Sequence, residues 1–173
     1  NNVRYISMKR TFLILCAAML FPIFAGAQSH KIGIVDSQKV LSEMPEMKSM
    51  QAELDNLAKK YEDTLVQLQK EFQTKYQDFV KEQETMVESI KSRKQQELED
   101  LSKRIQDLNN VAQQDMQKKQ VELFAPIQTK LREAINKVGN DGGFTYIMDA
   151  SQMLYVGSGS EDVTSLVKSK LGL

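Results

Sequence analysis

Residues 46–125 contain neither glycine nor proline; Pro45 and Pro126 bound them. Those two residue types are the strongest local breakers of regular structure, and loops are built from them. A segment this long without either, rich in Glu, Lys, Gln, Leu and Met, is constrained to helix. An ordinary globular helix runs about 8–20 residues. The segment is therefore either a long coiled hairpin or a single rod.

Its apolar residues fall on one helical face. Met47, Met50, Leu54, Leu57, Tyr61, Leu65, Leu68, Phe72, Tyr76 and Phe79 follow one another in steps of three and four. From Leu57 to Phe79 the steps make two elevens, the repeat of a nearly straight helix. The pattern then lapses: Met86, Val87 and Ile90 form a small cluster, and Lys91–Glu97 has no apolar residue. It resumes at Leu98 and continues through Leu101, Ile105, Leu108, Ala112 and Met116 to Val138, with Lys119 or Gln120 in one slot. Pro126 lies inside this second pattern, removes a backbone donor and predicts a kink.

The flanks carry strand signals. Lys31–Asp36 is a β-branched run, and Asp36 or Ser37 is placed to cap a short helix bearing Val40, Leu41 and Met44. Asn140–Gly143 ends the long helical pattern. Phe144–Asp149 and Met153–Val156 read as two strands joined by a short turn, Gly157–Ser160 as a loop, and Asp162–Leu171 as a final amphipathic helix. Isolated strands are unstable, so Ile32–Val35 pairs with Phe144–Met148 or with another chain. Pairing within one chain requires the helical insert to leave and return. Its midpoint falls near residue 90, where the seam lapses, which predicts a hairpin with its tip at 84–92. Each arm is then ~45 residues, or ~65 Å.

The expected organisation follows. Residues 1–27 hold upstream sequence and a cleaved signal peptide, with Met8 as start, Lys9 and Arg10, an apolar run Thr11–Phe24, and Ala25-Gly26-Ala27 at the cleavage site. Residues 28–45 and 138–173 form a small β-rich body, and 46–137 a helical hairpin. A body this small is marginal alone, so it is expected to complete its core by oligomerising. An uncleaved signal would instead make the chain a membrane-anchored coiled-coil scaffold of the envelope.

Composition excludes several functions. Cys16 is the only cysteine and lies in the apolar run, after Leu15 rather than the small residue that lipidation requires; no thiolate metal site follows. His30 reads as a solvated tail residue. Beyond residue 27 there are 20 basic and 23 acidic side chains, which argues against a nucleic-acid partner. Asp36 and Asp149 end strands, where aspartate caps turns and helices. The loop 157–160 lacks a phosphate-loop signature. No catalytic, cofactor or metal residues are expected.

The strand KIGIVD behind a signal peptide, the glycine-free helical insert, and the closing FTYIMDAS, MLYV and EDVTSLVKSKL segments, with Asp162-Val163-Thr164 at a helix start, resemble the Skp (OmpH-like) family of periplasmic chaperones. The resemblance covers nearly all of the chain after residue 27. It implies an α+β homotrimer in which a small β-barrel-like body carries three helical-hairpin tentacles around a cavity. The implied function is an ATP-independent holdase that shields unfolded outer-membrane proteins. Residues 46–125 hold sixteen acidic and thirteen basic side chains, unlike the basic tentacles of well-known members.

Methionines 44, 47, 50, 86 and 116 and the seam aromatics are expected to pack mainly between the arms. Off the seam, Val66, Val80, Val87, Val121 and Phe124 are the candidate cavity residues for a client. Lys91, Arg93 and Lys94 form a candidate basic patch at the tip, suited to transient contact with an anionic membrane surface.

Overall fold

The computed structural model describes residues 30–173. The expected signal peptide and Cys16 lie outside the described residues. The elements are β1 (Ile32–Val35), α1 (Ser37–Glu43), α2 (Pro45–Glu82), α3 (Glu88–Gly142), β2 (Tyr146–Asp149), a 3-10 turn (Ala150–Gln152), β3 (Ser160–Asp162) and α4 (Thr164–Leu171).

β1 is the central strand and is parallel to both neighbours, in the order β2-β1-β3. Ile32 faces Tyr146 and Val35 faces Asp149 on one side; Ile32 faces Ser160 and Ile34 faces Asp162 on the other. Parallel neighbours cannot be joined by a tight turn. The chain leaves β1 through α1 and the whole hairpin before returning as β2. It must then cross β1 to reach β3. Residues 153–159 make that crossing, over the face carrying Ile32, Ile34 and Met148. Met153–Val156, expected as a strand, is therefore the crossover and has no strand partner. The third strand is the polar Ser160–Asp162.

On the opposite face Val35, Val40, Leu131, Ala134, Val138, Val163 and Val167 form the body core, with Phe144 and Ile147 against it. Alternation along the strands sends Gly33, Val35 and Ile147 to this side. A second cluster at the hairpin base holds Met44, Met50, Leu54 and Ile127. The two clusters share Leu41 and Leu171 as partly buried neighbours, so body and hairpin base are one continuous packing unit.

Polar contacts fix the ends. Asp36 Oδ1 accepts from the Lys39 N–H at 2.9 Å and caps α1. The Asp36 N–H donates to Thr164 Oγ1 at 3.0 Å, and the Thr164 N–H donates to Asp162 Oδ1 at 2.9 Å. Thr164 is buried, so the Asp-Val-Thr sequence ties α4 to the start of α1. The Thr164 hydroxyl, then its backbone N–H, hold the Asp162 carboxyl below its ordinary value. Burial works to raise Asp149, but hydrogen bonds from Ser37 and Ser151 outweigh it and lower the carboxyl. Asp36 and Asp149 thus do the capping expected of strand-end aspartates.

α3 ends on Gly143 with φ 64°, a left-handed cap that favours glycine. Pro126, where a kink is expected, lies inside α3, which is continuous from Glu88 to Gly142. α4 begins two residues later than expected, because Asp162 belongs to β3.

Candidate binding surface

The hairpin turns between Glu82 and Glu88, so 88–92 of the expected tip is helix. Its composition, polar apart from Ile90, resembles a loop, but nothing in it opposes helix. The Gln83 N–H still reaches Phe79 O at 2.9 Å, and the Thr85 N–H and hydroxyl both donate to Glu82 O at 3.0 Å. Val87 is extended, and its carbonyl accepts from Ile90 at 3.0 Å. Among the described residues only Gly143 and Gly172 have positive φ. The tip turns without a left-handed residue, and so without glycine.

Five side-chain pairs join the arms along their length. Lys130 pairs with Glu46 at the base, Lys119 lies 3.8 Å from Glu53, and the Tyr61 hydroxyl donates to Asp115. Farther out, Lys75 lies 3.7 Å from Glu97 and Lys94 2.9 Å from Glu82. As one residue number rises the other falls in step, so one antiparallel register holds from base to tip. The Asp115 bond, aided by desolvation and the carboxylate charge, raises the Tyr61 phenol. The hydrogen bond from Lys130 lowers Glu46.

The arms bury little. No residue from Asp55 to Asp115 belongs to either core, and in that span only Phe79 and Leu101 are buried. Phe72 and Tyr76 stack with ring centroids 6.1 Å apart, leaving Tyr76 half exposed rather than enclosed in the seam.

The residues expected off the seam part company. Val66, Val80, Val87 and Val121 are exposed, but they are spread along the arms and form no single patch. Phe124 packs instead against the base cluster of Met44, Met50, Leu54 and Ile127. Its helical neighbour Leu123 does the same, because the base is where body and hairpin close on each other. Of the basic residues, Lys94 is engaged with Glu82, Lys91 is half-buried and Arg93 is exposed. With Lys94 paired, they do not form a free cluster.

Two features escaped the sequence. One is a groove of about 680 Å³ midway along the hairpin, lined by Leu65 and Val66 on α2 and by Ala112 and Met116 on α3. The other is on the body, where Tyr146, Leu154, Tyr155 and Val156 are exposed, Leu154 completely. The signal for the second was the run MLYV itself, an apolar stretch with no helical face and, in this topology, no strand to join. Among the described residues no cluster of His, Cys, Asp or Glu is arranged to hold a metal, and no helix is long and apolar enough to cross a membrane.

Comparison with known proteins gives a consistent picture. The sequence model of the family described as Outer membrane protein (OmpH-like) matches residues 31–171. The chain is 27% identical over 157 residues to the "Chaperone protein Skp" of Yersinia enterocolitica, spanning 87% of this chain and 93% of that one. It is 25% identical over 163 residues to the protein of the same name from Photorhabdus laumondii, spanning 90% and 96%. The crystal structure of an OmpH-like protein from Caulobacter crescentus superposes with a TM-score of 0.73 at 13% identity, over 82% of this chain and 83% of that one. That likeness shows the fold.

Proposed function

This chain belongs to the OmpH-like family, and from that premise we propose that it is a periplasmic holdase chaperone for unfolded outer-membrane proteins. It assembles as a homotrimer through the body and shields its client among the three hairpins, without ATP. The relatives named as Skp chaperones support the chaperone class. The leader-like sequence Met8–Ala27 supports export across the inner membrane.

The observation that carries the reading is the division of apolar surface. The body completes its core on one face of the sheet and leaves Tyr146, Leu154, Tyr155 and Val156 uncovered beside the other. Three consecutive exposed apolar residues, Leu154, Tyr155 and Val156, are suited to an interface. The hairpin, in contrast, hides its seam weakly and exposes scattered valines along charged helices. Scattered apolar contacts hold an unfolded chain loosely and reversibly, while a wall of helices keeps it from other copies of itself. Sixteen acidic and thirteen basic residues over 46–125 give little net attraction, so confinement and apolar contact outweigh charge. Any contact of Lys91, Arg93 and Lys94 with an anionic membrane is correspondingly slight, because Glu82 already engages Lys94.

The test is dilution of a urea-denatured outer-membrane β-barrel protein from denaturant, with and without this protein, followed by light scattering. Suppression of scattering without added nucleotide is the expected result. Aggregation unchanged at excess chaperone would refute the reading.

A further inference from the structure

We propose that the groove between Leu65 and Met116 seats an extended, uncharged client segment, with an apolar side chain in the groove and its backbone on amide side chains at the edge; this rests on the chaperone reading above. Leu65, Ala112 and Met116 are half-buried and give the groove an apolar interior. Methionine adapts its shape to whatever side chain enters. A volume of about 680 Å³ exceeds any single side chain and is comparable to pockets that take whole small ligands.

The edge is what distinguishes this place from the rest of the arms. Residues 46–125 carry sixteen acidic and thirteen basic side chains, yet among the lining residues Glu62 alone is charged. Four amides take the place of charges: Gln69, Asn109, Gln113 and Gln117, all exposed. Asn109 donates to Ile105 O at 3.0 Å, while the other three make no side-chain hydrogen bond among the described residues. Each amide has both donor and acceptor capacity, the pair of functions an extended backbone presents whatever its sequence. The occupant is therefore uncharged at the contact, extended, and chosen by backbone rather than by side-chain identity. A strand of an outer-membrane barrel meets that description, since it alternates apolar and polar residues and is extended over about 10 residues.

Two measurements on the full chain test this. A photo-crosslinking amino acid is placed at Val66, which lines the groove, or at Val121, which is exposed outside it. The probe is a urea-diluted outer-membrane barrel protein. Affinity for a synthetic strand peptide is then measured for wild type, Ala112→Glu and Gln113→Glu. The last lies on the exposed helix surface and leaves the arm packing intact. The expected results are preferential crosslinking of the barrel at Val66 and about tenfold weaker peptide binding by each variant. Equal crosslinking at both positions, crosslinks to another copy of this chain, or unchanged peptide affinity in Gln113→Glu would overturn the groove assignment while wild type still suppresses aggregation. Failure of wild type to suppress aggregation would overturn the chaperone reading itself, and this inference with it.

Discussion

Glu82, the last residue of the outgoing arm, and Lys94, on the returning arm, meet at 2.9 Å behind the hairpin tip. The pair closes a series that begins with Glu46 and Lys130 at the base. Between these ends the arms bury few side chains, so polar pairs help to hold the register where packing is thin. Exposed pairs are individually weak. An arm held this way stays in register but opens locally at little cost.

Lys94→Glu should therefore lower global stability by less than about 1 kcal/mol. Its effect should appear locally, as faster amide exchange from about Phe79 to Leu98, with the strands unaffected. Hydrogen exchange resolved by residue checks this.

Two glycines at the end of the returning arm should respond in opposite directions. Gly139 lies inside α3, and an added Cβ would sit 3.5 Å from Ile147 Cδ1, an ordinary contact. Gly139→Ala should stabilise by about 0.5–1 kcal/mol through helix propensity. Gly143 has φ 64°, and Gly143→Ala should cost about 1 kcal/mol. Denaturant unfolding of the two variants gives the signs.

Thr164→Val removes a buried hydroxyl that accepts from the Asp36 N–H. Leaving that donor unpaired should cost about 1–3 kcal/mol, since the methyl that replaces the hydroxyl cannot accept. Thr164→Ser, which keeps the oxygen, should recover much of the loss. Thermal melts of both variants decide it.

The body should weaken in acid. Asp162 and Asp149 both have lowered folded values, so the fold favours their charged forms. Their contribution is fully present above the ordinary carboxylate range, and is lost as pH falls from about 4 through the lowered folded values. Asp162→Asn should flatten the fall in melting temperature over that range. A variant with an unchanged pH profile would show that Asp162 does not contribute.

How much of this was legible varies with the kind of signal. The seam from Met47 to Phe79 and its resumption at Leu98 record the hairpin, because helix pairing imposes a period on side chains. The pairing of Ile32–Val35 with the strand after the hairpin was equally readable. The tip was placed too far along, since Glu88–Ser92 is polar apart from Ile90 but helical, and the turn uses no special backbone conformation. Met153–Val156 has strand composition but crosses the sheet, because parallel pairing of β2 and β3 to the same strand forces a return. β3 itself, Ser160–Asp162, is an edge strand defined by backbone bonds to β1, and its polar side chains carry no strand signal. Phe124 was off the sequence seam yet packs at the base, where the surroundings include Met44 and Leu171 and not the opposite arm alone. The groove depends on which residues of two distant segments come level, which periodicity within either segment does not reveal.

Assembly should depend on the crossover. Leu154→Asp with Tyr155→Asp puts two charges on the exposed apolar face without touching either core. The variant should sediment as a folded monomer, with helix content retained. A trimer of unchanged mass would move the interface elsewhere.

Three copies should enclose one unfolded client. Native mass spectrometry of the protein mixed with a urea-diluted outer-membrane barrel tests it most directly. The expected species is a complex of three chains with one client, whose backbone amides exchange freely when the same mixture is pulsed with deuterium. Client bound to a single chain, or a client already protected as a folded barrel, would contradict it.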